Sequence, residues 1–145
     1  MGLPALAADY LFVGPLIVKR LEQEVPDIAV GLVERADQVL DADKRARVLM
    51  VMWAGDRFED EARAGRSQQV YQRWLVVLAL NNVGRANDAR NALAGTLLSQ
   101  VHRALAGWHP DGSPLPLKRA NAPLQPTFTD SKAVYPLGFE VSLSL

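Results

Sequence analysis

The most informative segment for the fold is residues 70–80, Val-Tyr-Gln-Arg-Trp-Leu-Val-Val-Leu-Ala-Leu. It is apolar at nearly every position and rich in valine and aromatic residues, which favours a strand covered on both faces. A helix would also accommodate the run, so its periodicity alone leaves that alternative open. The turn-forming residues Asn-Asn-Val-Gly at 81–84 end it.

A second apolar strand and an amphipathic helix flank this stretch. Residues 47–53, Arg-Val-Leu-Met-Val-Met-Trp, are apolar at both odd and even positions, which predicts another buried strand. After the turn, apolar residues recur at intervals of four or three and predict one helical stripe, formed by Ala89, Leu93, Leu97, Val101, Leu105 and Trp108. Asn87 is a favourable N-cap, and Gly107 and Pro110 end this helix.

The N-terminal part predicts a helix followed by a short strand. Apolar residues at helical spacing indicate the helix, namely Tyr10, Val13, Ile17 and Leu21. Gly14-Pro15 marks its start, because proline is tolerated in the first turn, and Pro26 ends it. Residues 28–33 alternate weakly and predict the strand.

The C-terminal part ends in a strand after a proline-rich connection at 110–126. Phe139, Val141 and Leu143 alternate with polar residues, which predicts one buried and one polar face. Phe128 and Thr129 indicate a partner strand. Residues 1–145 therefore form a single α+β domain, with a mainly antiparallel sheet and an N-terminal and one long helix packed on one face.

Composition excludes several classes of function. The chain has 145 residues, 16 basic and 16 acidic side chains, and no cysteine. Zero net charge disfavours nucleic-acid binding and a polybasic membrane surface, and without cysteine there is no disulfide, thiolate zinc site or thiol nucleophile. No apolar run predicts a membrane helix, and Lys19-Arg20 follow the first apolar segment, in the opposite order to a secretory signal. We expect a protein made in the cytoplasm.

Motifs for catalysis or metal binding do not emerge from the sequence. His102 and His109, the only histidines, lack zinc-ligand spacing, and there is neither a nucleophile elbow nor a glycine-rich phosphate loop. We predict no catalytic, cofactor-binding or metal-binding residues. Trp53, Trp74 and Trp108 lie in or next to apolar elements and are expected in the core; the alternative is an exposed anchor at a subunit interface.

Charged residues are concentrated in two nearly balanced blocks, at 34–47 and 54–66, on either side of the predicted strand 47–53. The second block contains Gly55 and Gly65 and has no apolar period, which predicts a mobile loop. Loops of this length in a compact domain are commonly functional, and the alternative is a solvated loop without a role.

Short motifs in the second half resemble those of a known family. Residues 104–110, Ala-Leu-Ala-Gly-Trp-His-Pro, close the long helix, and 135–139, Tyr-Pro-Leu-Gly-Phe, open the last strand. With Arg20-Leu21 and Val25-Pro26, the chain resembles the tail terminator proteins of long-tailed bacteriophages, of the minor tail protein U type. The resemblance is strongest from about residue 70, and 28–66 matches least.

This resemblance implies a structural protein of the virion without catalytic residues or cofactors. Family members are small α+β domains that form a hexameric ring on the tail tube, stop its polymerisation and present a surface to the head-tail connector. The implied partners are further copies of the chain, the tail tube protein and the connector, with neither nucleic acid nor a membrane. Balanced charge blocks suit contacts between identical neighbours, so we expect the tube-facing or neighbour-facing surface to include Arg57, Asp60, Arg63 and Arg66.

Two other functions are compatible with the sequence. One is a different head-tail joining or tail-completion protein with a related fold. The other is a small enzyme or ligand-binding domain whose site is built from residues far apart in the sequence.

Overall fold

The computed structural model describes residues 8–34, 47–58, 69–81, 87–129 and 132–144. Two helices are found in these ranges, α1 (Val13–Glu24) and α2 (Asn87–Leu105). Six strands accompany them: β1 (Ala29–Leu32), β2 (Arg47–Phe58), β3 (Gln69–Asn81), β4 (Lys118–Ala120), β5 (Thr127–Phe128) and β6 (Lys132–Ser144).

The strands form one sheet in the order β1-β2-β3-β6-β4, with β5 also paired to β6. The stretch that contains residues 70–80 is the central strand β3. It pairs antiparallel with β2 on one side and along its whole length with β6 on the other. Only β1, which pairs with β2, is parallel in the described sheet. The predicted α+β class and mainly antiparallel sheet are confirmed.

Helix α1 forms close to where the sequence places it. Pro15 lies in its first turn, and Val13, Ile17 and Leu21 are fully buried on one face. Gly14 allows a close approach to the sheet, since a Cβ there would lie 2.7 Å from the ring of Trp74. The Val25 N–H donates to the carbonyl of Leu21 over 2.8 Å and closes the last turn before Pro26.

The main core lies between the sheet and the two helices, on the side that we call the helix face. Leu97, Val101 and Leu105 of α2 pack there with α1 and with strand residues such as Phe139. The opposite side, the second face, carries a smaller apolar cluster that is lined by Val48, Met50, Leu75, Val77, Ala79 and Val134. β2 and β3 carry apolar residues at both odd and even positions because both faces of these strands are buried.

Two connections differ from the predictions. Residues 54–58, expected at the start of a mobile loop over 54–66, continue β2, because Phe58 still pairs with Val70 of β3. The remaining residues of that predicted loop lie outside the described residues. The proline-rich connection contains the short strand β4, which pairs with β6.

A β-bulge at Gly55 changes which face the end of β2 presents. Trp53 pairs with Trp74 and Asp56 with Gln72, so two residues of β2 lie opposite one residue of β3. Gly55 has a φ of 93°, a left-handed conformation that glycine adopts without strain. Side chains along a strand alternate between the two faces, and the extra residue shifts this alternation by one position. Asp56 therefore lies on the helix face, as Trp53 does.

Candidate functional site

Asp56 organises a group of polar and aromatic side chains on the helix face. The Tyr10 hydroxyl donates to one carboxylate oxygen over 2.5 Å, and the indole N–H of Trp53 donates to the other over 3.2 Å. The Tyr10 and Trp53 rings meet edge to face, with centroids 6.2 Å apart. Both aromatic rings are therefore held in fixed orientations by one carboxylate.

Gln72 connects this group to the core. Its fully buried amide donates to the Tyr10 carbonyl over 2.6 Å and accepts from the indole N–H of Trp74 over 2.9 Å. A buried amide is stable only when it is hydrogen-bonded. Gln72 thus satisfies its own polar atoms while it holds the segment before α1 against the sheet.

The Tyr10–Asp56 pair predicts a loss of stability at high pH. Burial, the hydrogen bond to Asp56 and the Asp56 charge raise the pKa of the Tyr10 hydroxyl to about 12. In the unfolded chain tyrosine ionises near pH 10. The folded state therefore binds more protons between these values, and its stabilisation, fully present below about pH 10, is lost as the pH rises toward about 12. Urea unfolding between pH 9 and 11.5 measures this decline.

The same unfolding series with Tyr10→Phe separates this pair from other effects of alkali. The variant lacks the ionising hydroxyl, so its stability should fall less steeply over the same pH interval. Equal slopes for the variant and the unmodified chain would contradict the prediction.

An apolar groove of about 410 Å³ adjoins the Asp56 group beside the edge strand β1. Leu32 and Trp53, 51% and 40% exposed, form part of its lining. The remaining lining residues are Asp9, Leu11, Pro15, Val33, Glu34 and Trp74. Neighbouring exposed apolar side chains of this kind make the groove a candidate interaction surface.

The three tryptophans have different environments. Trp74 is buried in the core, as expected, and Trp108 packs against that core while it remains partly exposed. Trp53 differs from the core prediction, since it is exposed beside the groove. The alternative interpretation, an exposed anchor, fits its position. An indole fixed by a hydrogen bond loses little conformational freedom on binding.

The second face carries a cationic cluster, which we define as Arg57, Arg73 and Lys118 around Glu140. The side chain of Glu140 is only 5% exposed, and its carboxylate lies 2.9 Å from Arg57 Nη2, 3.7 Å from Arg73 Nε and 3.9 Å from Lys118 Nζ. The Arg57 guanidinium also stacks on Tyr71 at 4.0 Å from the ring centroid. Three partly exposed cations thus share one buried anion.

The predicted polar face of the terminal strand is not exposed where this cluster lies. Phe139, Val141 and Leu143 are buried as expected, but Glu140 and Ser142 are buried as well. Glu140 is covered because cations from β2, β3 and β4 converge on it. The cluster joins residues distant in sequence, so no local motif could have shown it.

Of the four residues predicted for an interface, the structure describes one, Arg57. Arg57 lies in β2, not in a loop, and belongs to the cationic cluster. Asp60, Arg63 and Arg66 lie outside the described residues. Gly55, predicted above as part of a mobile loop, lies instead in a bulge inside β2, and a single glycine inside a strand pattern often marks a bulge. The bulge brings Arg57 to the face of Glu140.

The described ranges contain neither a grouped set of metal ligands nor a membrane-spanning helix. His102 is exposed on α2, and the His109 ring contacts the carbonyl of Ser113. Among residues whose positions are described, no three histidine, aspartate or glutamate side chains are grouped as metal ligands would be. Neither described helix is long and apolar enough to cross a membrane.

A comparison with protein families identifies the class of protein that this fold represents. The model of the phage tail terminator protein family matches residues 7–145, nearly the whole chain. The chain belongs to this family, whose members are structural proteins of phage tails, and the resemblance inferred from the short motifs is confirmed. A comparison with curated proteins gave no significant match.

Proposed function

We propose that this protein caps the phage tail tube as a hexameric ring, stops tube polymerisation and forms the joint to the head connector. The family match over 7–145 is the observation that carries this proposal. In this role the chain is a structural part of the virion without catalytic activity or a cofactor. It is made in the cytoplasm of the host before it joins the tail.

The distribution of exposed apolar residues supports a ring. The groove with Leu32 and Trp53 lies beside β1, whereas Phe128 is exposed on β5, at the other edge of the sheet. Two different surfaces on one subunit are what a head-to-tail contact requires, and such contacts close into rings when the rotation allows it. Zero net charge removes long-range repulsion between copies.

We further propose that the cationic cluster contacts the end of the tail tube. All three cations lie within 4 Å of the Glu140 carboxylate, yet each remains partly exposed to solvent. Positioned charges favour specific partners and fast association more than they add affinity. We propose the same tube contact for the predicted interface residues, which are Arg57 of this cluster and Asp60, Arg63 and Arg66.

Tube polymerisation in vitro tests the function directly. Tail tube protein from the same phage is polymerised with and without the purified chain, and tube lengths and ends are measured by negative-stain microscopy. We expect shorter tubes that carry a ring at one end. Unchanged lengths and bare ends at saturating concentrations would overturn the capping role and favour another head-tail joining or tail-completion protein.

The contribution of the cationic cluster is measured in the same assay. Replacement of Arg73 and Lys118 by glutamine should raise at least tenfold the concentration that halves the mean tube length. Arg103→Gln is the matched control, because Arg103 is an exposed cation in the last turn of α2. Equal potency of the double variant and the control would exclude the cluster from the tube contact.

A further inference from the structure

The groove beside β1 is open to solvent, and the most exposed phenylalanine of the described residues, Phe128, lies at the opposite edge of the sheet. Phe128 is 52% exposed and its ring touches Tyr135 edge to face, with centroids 5.4 Å apart. An apolar cavity of about 150 Å³ can hold benzene. A groove of about 410 Å³ therefore has room for a phenyl ring and the residues beside it.

Phe128 cannot reach the groove of its own chain. From β1 to β5 the sheet order gives four steps between neighbouring strands. At about 4.8 Å per step, the two strands are roughly 19 Å apart, much farther than a phenylalanine side chain extends. Any contact between Phe128 and this groove must join two copies of the chain.

The charges around the two surfaces are complementary. Asp9 and Glu34 contribute acidic side chains to the groove lining. The guanidinium carbon of Arg90 lies 5.9 Å from the centre of the Phe128 ring, and Lys132 starts the strand that pairs with β5. An acidic rim facing a basic surround favours one register and disfavours contacts between two grooves.

We infer that Phe128 of one subunit inserts into the groove lined by Leu32 and Trp53 of the next, and that this contact joins the subunits of the ring. The inference rests on the ring proposed above and names its two contact surfaces. Trp53 is the fixed anchor of the groove, since Asp56 and Tyr10 already hold its ring. The occupant of the groove is a second copy of this chain.

Two variants that each destroy one half of the contact test this inference. Phe128→Ser keeps the groove, and Leu32→Glu keeps Phe128. Each variant alone should sediment as a monomer under conditions where the unmodified chain forms rings. A mixture of the two should form a one-to-one heterodimer, because only one pair of intact surfaces remains.

Two further variants control for effects of the substitutions other than loss of the contact. Leu115→Ser changes an apolar side chain that is 49% exposed and outside the groove lining, and it should still form rings. Leu11→Glu provides a second groove variant if Leu32→Glu fails to fold. Where rings form only on tubes, ring occupancy of tube ends replaces sedimentation as the measurement.

The outcomes separate this inference from the proposed function. Rings formed by either single variant, or mixtures that remain monomeric, overturn the contact while the unmodified chain still caps tubes. If the unmodified chain neither self-associates nor caps tubes, both the contact and the proposed function are wrong.

Discussion

Replacing Glu140 by alanine is expected to lower the free energy of unfolding by about 2–3 kcal/mol. The buried carboxylate faces three cations within 4 Å, and its removal leaves their charges without this anion. Truncating one partner of a fully buried ion pair costs about 3–5 kcal/mol. The expected loss is smaller here because the three cations are partly solvated. Urea denaturation of the purified variant measures the change.

Glu140→Gln is the matched control for this prediction. It preserves the volume of the side chain and an oxygen that accepts a hydrogen bond, but removes the charge. Its stability should lie between those of the alanine variant and the unmodified chain. An alanine variant as stable as the unmodified chain would show that the cluster does not depend on Glu140.

Replacing Gly138 by alanine should destabilise the protein by about 1–3 kcal/mol through overpacking. A Cβ at this position would lie 2.7 Å from the Ala120 carbonyl oxygen and 2.8 Å from that of Asn121. Both are backbone atoms at the end of β4, and Gly138 pairs directly with Ala120. The clash can be relieved only by moving β4 away from β6, which also displaces Lys118. Thermal unfolding and amide exchange at 118–120 report the two effects.

Gly31→Ala provides a control in the same type of structure. Gly31 lies in strand β1, and a Cβ there would meet no atom within 4 Å. Its stability should change by less than about 1 kcal/mol. If the two alanine variants unfold alike, the close approach at Gly138 has no energetic cost.

Much of the fold was predictable because its core elements have strong local patterns. The valine-rich composition of the runs that form β2 and β3 favoured strands over helices, and the stripe on α2 and the proline in the first turn of α1 each had one dominant physical interpretation. The parallel pairing of β1 was not predictable, since residues 28–33 carry no signal for the direction of a partner strand. That choice is made by tertiary contacts.

The candidate sites were harder to predict because they depend on which residues become neighbours. The alternation at the end of the chain correctly placed Phe139 in the core but left Glu140 on a solvated face. Its burial depends on cations from three other strands. Arg57 reaches it only because one glycine shifts the alternation of β2, and Trp53 remains exposed although its sequence environment is apolar.

The lengths of the strands have a consequence for behaviour at high concentration. The central strand β3 pairs along its whole length with β6, whereas the short strands β1, β4 and β5, of four residues or fewer, cover parts of the outer sides of β2 and β6 in the described sheet. Short edges, and the charged Lys118 and Arg119 on β4, are poor templates for open-ended strand addition. Open-ended strand addition at β1 and β4 is therefore disfavoured, and contacts made by these two edges depend on side chains more than on backbone pairing.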